Sequence, residues 1–228
     1  MPSSATQITR AGDSAFTPLA PAGAPGADAT GLVQGKVCVA GGIAGTIQTY
    51  FDAASGSLAL RCSRPGYVST LAGNAGISGA INATGTAASF DTLHGVAVDT
   101  AGNVYVADRS NHLIRKISPA GVVTTLAGTV GVFGSADGNG TAATFKFPSG
   151  VAVDGSGNVY VADTGNQLIR KISPAGVVTT LAGTANITGA INATGTNATF
   201  NDPLGVAVNT DDNVYVADGL NHLIRKIN

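Results

Sequence analysis

From Gly150 the chain reads as a short apolar run, Val151 to Val153, stopped by Asp154, Gly155, Ser156, Gly157 and Asn158. A second run, VYVAD from Val159, is closed by Thr164, Gly165 and Asn166, and LIRKIS, the turn PAG and VVTTLAG follow. Asp bonds its own backbone at the start of a turn, and Gly accepts the positive φ that a side chain resists. The polar breaks therefore read as hairpin turns, and the runs between them as four antiparallel strands. GVAV and VYVA are apolar throughout instead of alternating, which requires that both faces of the sheet be covered.

The unit recurs. GVAVDTAGNVYVADRSNHLIRKI starts at Gly95, GVAVDGSGNVYVADTGNQLIRKI at Gly150 and GVAVNTDDNVYVADGLNHLIRKI at Gly205, 55 residues apart, with Phe90, Phe145 and Phe200 in the same register. One further step of 55 residues leads from Tyr105 to Tyr50, where GSLALRCSRPGYVSTLAG aligns under NHLIRKISPAGVVTTLAG. The expected fold is all-β: a β-propeller of four-stranded antiparallel blades, about four per chain. They span 36–73 (divergent, with KVCVAG as first strand), 93–128, 148–183 and 203–228, after an N-terminal strand and Pro/Ala/Gly-rich linker over 1–35. A solenoid of stacked sheets satisfies the same periodicity, so ring closure is an inference from architecture. No VVTTLAG follows the last LIRKI, and TQITRAG, Thr6 to Gly12, has the alternation and terminal Ala-Gly to stand in for it. Within one chain that strand closes a small ring; between chains it is strand donation that builds a ring or filament.

The composition fits many short strands. The 228 residues include 32 glycines and no tryptophan, with 44% hydrophobic and 11% charged residues. A net charge of -1 provides no field to gather nucleic acid or an anionic membrane. No stretch approaches the roughly 18 apolar residues of a membrane helix, and MPSSATQITR has no signal-peptide pattern. Low charge with abundant Thr, Asn, Gly and Ala points to an extracytoplasmic or secreted setting. Cys38 and Cys62 fall on the first and third strands of one sheet, about 9–10 Å apart and beyond disulfide reach, and read as two thiols.

Asp108, Asp163 and Asp218, with Arg115, Arg170 and Arg225, recur in every copy. A recurring residue serves the repeat, so each Asp is read as capping the turn into the third strand and each Arg as bonding that Asp or nearby backbone. His112 and His222 are equivalent but Gln167 stands between them, which breaks a zinc ligand set; His94 is the third histidine. Asp137 and Asn139 are spaced like the start of a calcium loop that has no acid to finish it. Asn82, Asn139, Asn186, Asn192 and Asn197 head Asn-x-Thr sequons and read as ordinary loop residues. No nucleophile elbow, phosphate loop or CxxC is present. No metal, no cofactor and no catalysis are expected.

The pattern GVAVD, GNVYVAD, NHLIRKI and VVTTLAG resembles the NHL-repeat β-propeller family in its bacterial form with long interblade loops, strongly over 66–228. The resemblance implies a propeller, commonly of six blades. Related propellers include lactonases and lyases, and animal members of the family bind RNA. The expected function is a non-catalytic binding or scaffold propeller that recognises a protein, peptide or glycan through the face carrying the long interblade loops. On that face the second-to-third-strand turns offer Arg109, Asn111 and His112, then Thr164, Asn166 and Gln167, then Leu220, Asn221 and His222. The alternatives are a ring or filament subunit built by N-terminal strand donation, and a lactonase- or lyase-like enzyme.

Overall fold

The computed structural model describes residues 37–40, 43–52, 57–63 and 68–228, and it divides between Ser69 and Thr70. In the first unit β1 (Val37–Ala40), β2 (Ile43–Asp52) and β3 (Ser57–Ser63) form an antiparallel sheet in that order. Cys38 and Cys62 stand on its outer strands with β2 between them. The expected N-terminal strand and linker lie outside the described residues.

The second unit holds three sheets, each laid out as the repeat predicts. β4 (Leu93–Val98), β5 (Val104–Asp108), β6 (Leu113–Ile117) and β7 (Val123–Ala127) pair in sequence order. The next sheet has β9 (Val151–Val153), β10 (Val159–Asp163), β11 (Leu168–Ile172) and β12 (Val177–Ala182), with the two-residue β8 (Gly138–Asn139) along the edge of β12. The last comprises β13 (Pro203–Val208), β14 (Val214–Asp218) and β15 (Leu223–Ile227). Residues 68–73, expected as the fourth strand of the divergent copy, are in no strand. The register nonetheless extends to them: Gly73 donates its N–H to the Gly85 carbonyl as Gly128 does to Gly140 and Gly183 to Gly195.

Local chemistry closes the hairpins. The Asp154 carboxylate accepts the N–H of Ser156 at 2.9 Å and of Asn158 at 2.8 Å, while Gly157 turns the chain at φ +82°. Its other oxygen accepts the Tyr160 hydroxyl at 3.1 Å; burial, and then this carboxylate, push the phenol up to about 12. Asp99 and Tyr105 repeat the contact at 3.0 Å.

Alternate residues of the central strands serve the two faces of each blade. One face, here called trailing, carries Ala97, Tyr105, Ala107 and Ile114 in the first blade. It packs on the leading face of the next blade, Val151, Val153, Val159 and Val161, with Phe145 and Ala143 filling the outer end. Tyr160, Ala162 and Ile169 meet Val206, Val208, Val214 and Val216 with Phe200 in the same way. The apolar character on both faces of GVAV and VYVA is thus spent on two neighbours, and the burial of these side chains supplies the main drive for stacking.

The innermost strands approach so closely that only glycine fits. A Cβ built on Gly95 would stand 2.4 Å from the Ser149 carbonyl oxygen, and one on Gly150 would stand 2.5 Å from the Leu204 oxygen and 2.8 Å from the Val206 nitrogen. These obstacles are backbone atoms of the next blade, which cannot swing aside. Gly150→Ala is therefore expected to lower stability by about 1–3 kcal/mol, the range for overpacking a tight contact. Chemical denaturation of the two proteins checks this.

Candidate functional site

Strands two and four of a blade run the same way, so the second-to-third-strand turn and the long interblade loop emerge on one face. A buried network ties them together. The Asp163 carboxylate accepts the N–H of Lys146 at 2.7 Å, the Asn166 amide at 2.7 Å and Arg170 Nη1 at 2.8 Å. Arg170 also donates to the carbonyls of Thr144 and Ala136 and to the Asp137 carboxylate, and Asn166 donates to the Gly134 carbonyl at 2.6 Å. The guanidinium lies 5.2 Å from the centre of the Phe145 ring. Burial pushes the Asp163 carboxyl up to about 6, against the pull of these donors, so it is ionised at neutral pH.

The same arrangement joins Asp108, Asn111 and Arg115 to the loop carrying Asn82, and Asp218, Asn221 and Arg225 to the loop carrying Asn192. The loop partner of the arginine, Asn82, Asp137 or Asn192, was not singled out for that role by the sequence reading. The calcium-like Asp137 is taken up by Arg170 and by the N–H and hydroxyl of Thr180. Among the described residues no cluster of three or more His, Cys, Asp or Glu could hold a metal, and no helix is long and apolar enough to cross a membrane.

The nine turn residues expected to recognise a partner divide sharply. Asn111, Asn166 and Asn221 spend their amides on the network and on loop carbonyls. Thr164 is buried and donates to the Pro203 carbonyl of the next blade at 2.6 Å, and Gln167 Oε1 accepts the N–H of Asp202 at 2.7 Å. His112 is buried as well, its Nδ1 accepting the N–H of Phe147 at 3.1 Å, which leaves the ring proton on Nε2. Arg109 is half-buried with its Cζ 5.0 Å from the centre of the Phe147 ring. Leu220 and His222 are exposed. Most of these side chains hold turn to loop or blade to blade, a role invisible in sequence because those loop and next-blade partners lie 32 or more residues away. The last residue of the turn adopts the left-handed conformation each time, φ +59° at His112, +63° at Gln167 and +57° at His222, and at His112 and Gln167 it aims the side chain at the neighbouring blade.

The solvent-facing part of the face consists of loop tips. Ile77, Val132 and Ile187, one repeat apart, are exposed, as are Ile81, Val130 and Ile191. Between the first and second blades the repeat symmetry is broken by a cluster made once. Phe133 and Phe147 bracket His112 edge-on, at 5.8 and 4.8 Å between ring centres, and Arg109 and the Lys146 ammonium lie over these rings. Among the described residues neither cation is paired with a carboxylate. The counterparts between the second and third blades are Thr164, Gln167, Thr188, Asn201 and Asp202, a set with no aromatic ring and no cation. The loop strings around Phe133 differ from ISGAINATG and ITGAINATG, and that difference is the sequence signal for the cluster.

Stacked antiparallel blades with turns and loops gathered on one face define a β-propeller. Solved structures share the architecture. A protein of unknown function from Bacteroides thetaiotaomicron matches at 30% identity and a TM-score of 0.52, covering 55% of this chain and 32% of that one. An auxiliary nutrient binding protein from the same species matches in fold at 19% identity and a TM-score of 0.55, over 80% of this chain and 42% of that one. Residues 90–117, 145–172 and 200–227 match the model of the NHL repeat, and the fold is that of a β-propeller. NHL repeat-containing protein 2 of Bos taurus is 36% identical over 132 residues; the aligned region is 54% of this chain and 18% of that relative's length.

The imidazole of His112 accepts a hydrogen bond only while neutral. Burial, and then the charge of Arg109, hold it below the ordinary 6.5. Protons bind the unfolded chain first, so the stability contributed by this contact is complete above about 6.5 and is lost as the pH falls. Between about pH 7 and pH 5, the thermal unfolding midpoint of the native protein is expected to drop further than that of His112→Gln, whose amide copies the pH-independent contact of Gln167. Differential scanning calorimetry across that range checks it; equal slopes would refute it.

Proposed function

We propose that this chain is a non-catalytic binding propeller that takes a protein or peptide partner on its loop-bearing face. The observation that carries this reading is the once-only cluster of Arg109, His112, Phe133, Lys146 and Phe147. Two unpaired cations beside partly exposed aromatic rings suit a partner that presents carboxylates next to apolar or aromatic side chains. The row of exposed Ile77, Val132 and Ile187 on the same loops extends the apolar contact. Because each loop is tied to a buried carboxylate, little ordering entropy is lost on binding, which favours affinity. The recurring Asp and Arg are bound to one another and to backbone, so they do not offer an acid or base to a substrate. The low charge and Thr- and Asn-rich composition support an extracytoplasmic setting.

Isothermal titration with defined polymers tests the reading. A random copolymer of glutamate and tyrosine is expected to bind more tightly than polyglutamate, with polylysine inert. Phe133→Ser, which installs the residue found at the equivalent Ser78, is expected to weaken the copolymer by about tenfold or more. Binding of polygalacturonate alone would move the partner to an acidic glycan, and copolymer binding unaffected by Phe133→Ser would overturn the site.

A further inference from the structure

The arginines of the three blades are not alike. Arg115, Arg170 and Arg225 each make four side-chain hydrogen bonds, to the blade's own aspartate, to two loop carbonyls and to the loop's Asn or Asp. Arg109 donates to none of the described residues, its buried Nε included, and its counterparts Thr164 and Gly219 show that the repeat does not need it. Two more donors of the same cluster are unmet. Lys146 gives its backbone N–H to Asp163, but its ammonium has no partner among the described residues. His112 is only 7% exposed, its Nδ1 takes the Phe147 N–H, and no described residue accepts its Nε2–H. Unlike the arginine Nε atoms this nitrogen is not sealed; it opens to solvent beside Phe133 and Phe147. A donor on so deeply buried a ring meets few waters, and leaving it unmet costs free energy that an incoming acceptor recovers.

We infer that Arg109, His112 and Lys146 form a subsite for a single carboxylate, with the His112 Nε2–H as its directional donor and the rings of Phe133 and Phe147 as its walls. The inference rests on the reading of the loop-bearing face as the binding surface, and it names the atom that holds the ligand. Direction comes from the imidazole. The Phe147 N–H, 3.1 Å from Nδ1, fixes the tautomer, and the two phenyl rings set edge-on at 4.8 and 5.8 Å fix the plane, so one proton is offered at one place. Charge comes from Arg109, over the Phe147 ring at 5.0 Å, and from Lys146, over the Phe133 ring at 5.9 Å. An ammonium by itself attracts an anion without fixing its position, which is why the imidazole matters. The walls choose among anions. Apolar rings strip water without replacing its hydrogen bonds, and a dianion loses more by this than a monoanion, so a carboxylate on an apolar stem suits the site better than a phosphate. Such a group is either an acidic side chain or the end of a chain. The other loops place Asp91 where Lys146 stands and Asp202 where Phe147 stands, acids that repel an anion, so the subsite is built once.

Long-range proton–nitrogen NMR correlation of the isotope-labelled full chain at neutral pH tests the assignment, because it reads the two His112 nitrogens directly. N-acetylphenylalanine presents a terminal carboxylate, N-acetylglutamic acid α-amide a side-chain one, and N-acetylphenylalaninamide none. Saturable displacement of the His112 Nε2–H resonance is expected with the acids and not with the amide, and the tighter of the two acids identifies the stem. Inorganic phosphate is expected to bind more weakly than either. Arg109→Gln and Lys146→Gln leave every described hydrogen bond in place, so each is expected to keep the native circular dichroism while weakening the acids by about tenfold or more. A free imidazole carrying its proton on Nδ1, a displacement as large with the amide as with the acids, phosphate binding tighter than both acids, or acid binding indifferent to Arg109→Gln and Lys146→Gln would each overturn the subsite. Should the glutamate and tyrosine copolymer bind while the small acids leave His112 unmoved, the subsite falls and the binding face stands. Should the acids bind and the copolymer not, the subsite stands and the macromolecular partner falls.

Discussion

A carboxylate sealed inside each blade is the constraint on which the rest of the second unit depends. Asp108, Asp163 and Asp218 are fully buried, and such a charge is tolerable only if paired and fully hydrogen-bonded. The pairing arginine comes from the third strand, the amide from the intervening turn, and the backbone N–H from the incoming loop at Asp91, Lys146 or Asn201. One ion therefore ties the turn and third strand that follow it to the loop 17 residues before it. Removing a single partner from such a pair typically costs about 3–5 kcal/mol, because the other charge is left stranded. The loops are long, yet each is tied down at the point where it passes the turn.

Stacking imposes the second constraint. Each blade is apolar on both sides, so no blade is satisfied alone and each depends on its neighbours. The chain carries this logic in its glycines as well as its valines: close approach of inner strands is written into Gly95, Gly150 and Gly205 whether or not a neighbour is in place. The proposed recognition surface follows a different rule. The residues that repeat hold the blades together, while those that break the repeat, Phe133, Lys146 and Phe147, form one cluster with Arg109 around the buried His112.

Much of the architecture was legible in the sequence because it is local. Asp154 to Asn158 announces its turn through side-chain bonds two and four residues away, and the apolar runs announce strands covered on both sides. The pairing of Asp163 with Arg170 was legible from recurrence alone, but not the rest of the role: the carboxylate makes no capping bond to the turn's backbone and instead accepts from the Asn166 amide and the Lys146 N–H. What escaped was contact across blades. Thr164 and Gln167 look like exposed turn residues until the next blade brings the Pro203 carbonyl and the Asp202 N–H against them, and Val68 to Gly73 lacks the strand that its similarity to VVTTLAG suggested. The aromatic and basic cluster escaped because its members come from a turn, a loop tip and a strand entry, which no sequence window joins.

Native-state amide hydrogen exchange tests most directly whether the buried carboxylates hold the loops. The N–H groups of Asp91, Lys146 and Asn201 lie outside the sheets, and each is donated to such a carboxylate. If the carboxylates clamp the loops, these amides exchange as slowly as that of Val161 in the second strand of the central blade. Exchange as fast as that of unstructured peptide at these three positions would contradict the clamp and with it the rigidity of the loop-bearing face.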